Sequence, residues 1–237
     1  MKSWKTLLAV AALSHASHAL ALGGLADLSV YDRTEGRQLA VHWHEERAYV
    51  VGKPGNEYQI TLRSRSREEV LAVVSVDGIN VITGQSADPA QSGYVLAPRG
   101  ALEIRGWRKS LAQTAAFYFT SLPDSYAART GRPDDVGVIG VAVFRKKQEP
   151  QPIGQIAPQA KSEARAADQG LGTGHGRRED SPARYVGFER ATSAPAEVVT
   201  LYYDSYRNLL ARGVIRQPVP VAPLPRPFPD FVPDPRG

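Results

Sequence analysis

The chain contains no cysteine. That excludes disulfide staples, thiolate nucleophiles, Cys-based zinc sites and a lipid-modified N-terminal Cys. The sequence also has no G-x-S-x-G elbow, no P-loop and no H-E-x-x-H, so the common signatures of hydrolases, nucleotide-binding proteins and zinc peptidases are missing. Histidine is scarce, at five residues. Long apolar runs are scarce as well. The longest, Leu7 to Leu13, falls short of the roughly 20 residues that span a bilayer.

That short run sits in a recognisable setting. Lys2 and Lys5 precede it, and Ala19-Leu20-Ala21 follows with the small residues a signal peptidase requires. Residues 1–21 therefore read as a secretory signal peptide; left uncleaved, the same stretch would act as an N-terminal anchor. The expected destination is the periplasm or the medium, with no transmembrane segment in the mature chain. An exported chain without disulfides must be held by its apolar core alone, and its length allows that. Removing residues 1–21 takes away two lysines and no acid, so 29 basic residues against 24 acidic become 27 against 24. The remaining +3 is scattered, which argues against a nucleic-acid partner, since phosphate binding needs clustered cations.

Residues 22–148 carry a succession of short β-prone runs. Tyr58, Ile60 and Leu62 alternate with polar neighbours, the period of a strand with one wet face. Val70 to Val76 is apolar at nearly every position, as in a strand buried on both sides. Asp77-Gly78 then separates it from Ile79 to Ile82, and a DG pair between β-branched runs predicts a hairpin. Further strands are expected at 28–32, 38–43, 47–51, 93–97, 101–107, 114–121 and 136–145. Asp124 to Arg129 is expected to make one helical turn capped by Asp124. This spacing predicts a mainly β chain with a single β-sandwich, immunoglobulin- or jelly-roll-like.

Residues 149–181 are rich in Pro, Gln, Ala, Gly and charge and read as a flexible linker. Residues 182–216 predict a hairpin of 184–191 with 197–203 and a short helix at 204–212 stopped by Gly213, all docking on the sandwich. Residues 217–237 hold eight prolines and read as a disordered tail in extended polyproline form, a spacer or a recognition segment.

Three sets of residues are candidates for function. His42 and His44, with Glu46 in step, would project together from a strand and could hold Zn²⁺ or Cu²⁺ with His175 as the third imidazole. The bland reading of the pair is two solvent-facing histidines on an edge strand, with Trp43 packed inward. Arg105, Trp107 and Arg108 end a predicted strand, and such a group could bind an anionic glycan, a lipid head group or an envelope protein partner. The bland alternative is a core Trp flanked by cations that reach back to water. The glycines from Gly170 to Gly176 lack the strand-and-helix context of a phosphate loop and read as a hinge. An enzyme site assembled from dispersed residues such as Asp77, Arg108 and Tyr126 is the third alternative.

The segments Val74-Ser75-Val76-Asp77-Gly78-Ile79-Asn80-Val81, Gly93-Tyr94, Gly106-Trp107-Arg108, Ala116-Phe117-Tyr118-Phe119, Ser125-Tyr126-Ala127 and Val136 to Phe144 together resemble an uncharacterised family of exported bacterial proteins. The resemblance covers most of residues 28–148 and extends more weakly over 171–215. It implies a bacterial envelope location and one β-rich unit, and it assigns no activity and no site residue. The function expected from all of this is a non-catalytic binding or protein-interaction module of the cell envelope.

Overall fold

A computed structural model of the chain describes residues 22–148 and 170–216. The expected signal peptide, most of the expected linker and the Pro-rich segment lie outside the described residues. No helix among those described is long and apolar enough to cross a membrane.

The chain is mainly β, with two seven-stranded sheets. In chain order the strands are β1 (Ala26–Asp32), β2 (Arg37–Gln38), β3 (Val41–His44), β4 (Arg47–Gly52), β5 (Glu57–Ser64), β6 (Val70–Val76) and β7 (Ile79–Asn80). They continue with β8 (Tyr94–Leu96), β9 (Ala101–Ile104), β10 (Gly106–Arg108), β11 (Gln113–Ser121), β12 (Val138–Arg145), β13 (Leu171–Asp180) and β14 (Glu197–Ser205). The helices are α1 (Tyr126–Arg129) and α2 (Tyr206–Ala211). Sheet one runs β10-β11-β5-β1-β2, with β13 on β11 and β9 on β5. Sheet two runs β3-β4-β14-β12-β6-β7, with β8 on β6. Among the described strands only the β4–β14 pair is parallel.

Both sheets feed one apolar cluster. Leu28, Val30, Tyr58, Ile60, Leu62, Phe117 and Phe119 come from sheet one; Val74, Val76, Ile139, Val141, Val199, Leu201 and Tyr203 come from sheet two. The period-two pattern of β1 and β5 supplies the first set. The all-apolar β6 has a second face to cover, and there Leu71 and Val73 join Ala142 and Phe144, with Phe188 packed on top. Asp77 and Gly78, at φ 52° and 70°, make the turn from β6 to β7 that the DG pair announces.

The C-terminal third departs from expectation. Leu171–Asp180, placed by composition in a flexible linker and hinge, is a ten-residue strand paired along β11. The alternating glycines explain why. Gly174 lies opposite Tyr118, whose ring crosses β13 so closely that a Cβ on Gly174 would sit 2.1 Å from it. Glycine here makes room for an aromatic ring rather than for motion. The expected hairpin of 184–191 with 197–203 does not form. Residues 181–189 carry no strand, Arg190 makes an isolated bridge to Lys146, and β14 inserts between β12 and β4. Val199, Leu201 and Tyr203 bury more apolar surface in that central slot than a two-stranded ribbon would.

The helices are capped by serines. Ser125, not Asp124, accepts from the Ala128 N–H to start α1, and Ser205 accepts from the Asn208 N–H to start α2. Gly213, at φ 73°, ends the second helix region.

Candidate binding cleft

The site begins at β10, where the chain presses against its neighbour. A Cβ on Gly106 would fall 2.0 Å from the Ala115 carbonyl oxygen, so only glycine permits this approach. Next to it Trp107 is buried, with its ring edge-on to Phe117 at 5.1 Å. Its Nε1 donates to the Gly174 carbonyl at 3.1 Å, which ties β10 to β13 across β11. Tyr126 opens α1 under the Ser125 cap and lies between two rings, Trp107 at 4.9 Å and His175 at 5.5 Å. Beyond this aromatic row is a cleft of about 450 Å³ lined by Asp124, Tyr126, Arg129, Thr130 and His175. The Asp124 carboxylate accepts the Ser121 hydroxyl at 2.7 Å.

The surroundings of His175 favour its neutral form. Burial lowers its pKa first, and the positive charges of Lys109, Arg129 and Arg178 lower it further. Three cations thus bear on one half-buried imidazole at the mouth of an aromatic cleft.

Two residues back along β13 the environment is closed. The buried Asp77 carboxylate accepts the Tyr203 hydroxyl at 2.5 Å, the Gly137 N–H at 2.9 Å and the Thr173 N–H at 2.7 Å. The Thr173 hydroxyl bonds to both the Tyr203 and the Tyr58 hydroxyls at 2.6 Å. Burial pushes the Asp77 carboxyl up to about 6 against the pull of these donors. Burial and the nearby Asp77 push both tyrosines up, so they stay protonated. The four side chains join the two sheets, and every polar atom of these four is engaged.

The residues singled out in the sequence distribute as follows. Trp107 is buried behind Tyr126 and does not line the cleft, whereas His175 does. Arg105 lies at the break between β9 and β10, exposed and paired with Glu103 at 2.8 Å. Arg108 turns to the Ser181 carbonyl and hydroxyl and to the Tyr94 hydroxyl. The three therefore do not form one surface. Nor do Asp77, Arg108 and Tyr126 converge: the first is in the core, the second holds the segment after β13, and only Tyr126 reaches the cleft.

His42 and His44 share a face of β3, opposite Tyr49 and Arg47 of β4. Trp43 is on the other face and 50% exposed. Glu46 sits in the following turn at φ 61°. His44 Nε2 is 3.7 Å from Glu45, and His175 belongs to the other sheet. Among the described residues no three His, Asp or Glu side chains gather around a common point that could hold a metal ion.

Asp124, Arg129 and Thr130 were not marked as site residues by the sequence. The signal available was the capped turn Ser125 to Arg129 beside a strand, which local pattern alone cannot aim at a histidine 46 positions away. Comparison of the chain with protein-family models, with curated proteins and with solved structures gave no match in any of the three.

Proposed function

We propose that the chain is an exported cell-envelope protein built as a β-sandwich, and that it works by binding rather than catalysis, taking an anionic ring-bearing ligand such as an acidic sugar in the cleft between α1 and β13. The observation that carries this reading is the aromatic row Trp107–Tyr126–His175 ending at Arg129, with Lys109 and Arg178 adding positive charge. An aromatic face takes the apolar side of a sugar ring, and the cations take its carboxylate.

An anion in this cleft would offset the cations that depress His175, so its pKa should rise on binding. NMR titration of the His175 ring with glucuronate, against glucose as the neutral control, reads this directly. The reading expects a glucuronate-dependent shift and a raised His175 pKa, both lost in Arg129→Ala. Equal responses to the two sugars, or none at tens of millimolar, would overturn it.

A further inference from the structure

The first residues after the expected leader are held by an arrangement that has no role in the cleft. Leu22 and Leu25 pack on the shared core, and the chain between them folds back on itself. Gly23 makes that fold feasible, because a Cβ there would stand 2.2 Å from the Ala26 carbonyl oxygen and 2.8 Å from Val199. The result is that the Leu22 nitrogen donates to Asp27 Oδ1 at 3.0 Å. At the same bend the Glu197 carboxylate, from the start of β14, accepts three successive backbone N–H groups: Gly24 at 2.5 Å, Leu25 at 2.8 Å and Ala26 at 3.2 Å. The Arg65 guanidinium closes the group by donating to the Gly23 carbonyl at 3.3 Å. Two carboxylates thus converge on residues 22–26, and one of them is aimed at the nitrogen immediately after Ala19-Leu20-Ala21.

We infer that, once the leader expected over residues 1–21 is removed, the α-ammonium group released on Leu22 becomes a structural element by pairing with Asp27. The step is hydrolysis by a signal peptidase, an endopeptidase that reads small residues one and three positions before the cut. Water adds across the Ala21–Leu22 peptide bond; its oxygen completes the Ala21 carboxylate on the departing leader, and the amine left on Leu22 takes up a proton. In the uncut chain Leu22 offers Asp27 one neutral amide N–H. After cutting it offers a full positive charge at the same distance, and charge-assisted hydrogen bonds are roughly twice as strong as neutral ones. Processing therefore tightens the folded exported form. The inference rests on the export reading and is independent of what the cleft binds.

N-terminal sequencing of the exported protein should begin at Leu22. The urea midpoints of two purified chains, one starting at Leu22 and one starting at His18, then isolate the ammonium. The Leu22 form should have the higher midpoint, by roughly 0.2–0.5 M for a partly buried ion pair. Asp27→Asn should erase most of that difference, because it weakens the Leu22 form more than the His18 form. A mature end at any other residue overturns the inference while leaving export intact. Retention of Met1 overturns both. An equal effect of Asp27→Asn in the two chains overturns the structural role of the ammonium.

Discussion

The two halves of β13 differ in how their polar groups are used. In Leu171 to Gly174 the strand is buried, and two edge N–H groups are taken by carboxylates of sheet two and its hairpin: Leu171 donates to Asp204 at 3.2 Å and Thr173 to Asp77 at 2.7 Å. From His175 to Asp180 the strand emerges. Its outer side chains are fastened by ion pairs, Arg177 to Glu57 at 2.8 Å and Glu179 to Arg33 at 2.6 Å. Its inner residue His175 faces a cleft. One half spends its polar atoms on holding the sheets together, and the other keeps them near solvent, where a ligand can compete for them. The lesson is that saturation, more than residue type, separates the structural part from the binding part.

The sharpest way to break this contrast is Asp77→Ala. It strips partners from Thr173 N–H, Gly137 N–H and the Tyr203 hydroxyl in the core, and should cost about 3–5 kcal/mol by urea unfolding. The second is pH. Because burial raises the folded-state pKa of Asp77 from 3.8 to about 6, the folded chain keeps a proton that the unfolded chain has already lost. The resulting stability is full below about pH 4 and is lost as pH rises through 6, a change on the order of 3 kcal/mol. Unfolding free energies measured from pH 4 to pH 7 should fall accordingly, and Asp77→Asn should flatten the profile. A rise over that window would show the donors to outweigh burial. The smallest effect is expected at the open half: His175→Ala should leave stability within about 0.5 kcal/mol of the parent, as read by thermal melting.

Local pattern was informative where a strand announces itself. The alternation in β5, the apolar run of β6 and the DG turn are properties of neighbours in sequence, and the structure has all three. Elsewhere the deciding partner is remote. Glycines 172, 174 and 176 look mobile until Ser125 and Val136 are set against the first and Tyr118 is laid across the other two. Asp77 is legible as a turn residue, but its role as an acceptor depends on Gly137 just before β12 and on β13 and β14, whose contributing residues lie 60 to 126 positions away. The phase of 101–108 is lost for a different reason. A break at Arg105 leaves Gly106 and Trp107 both buried, so a strict period of two pairs Trp107 with Arg105 on one face when they in fact diverge. Tyr185 and Phe188 look like strand residues, yet residues 181–189 carry no strand, and the place beside β12 is taken by β14.

That slot also bears on how the molecule assembles. β14 joins β4 in parallel and β12 antiparallel, so sheet two stays in separate pieces, β3–β4 on one side and β12–β6 on the other, until the last strand arrives. Closure over so long a stretch of chain is slow, because the entropy of the loop must be lost before the contacts repay it. On the export proposed above, that delay would keep the chain from locking before β14 has crossed.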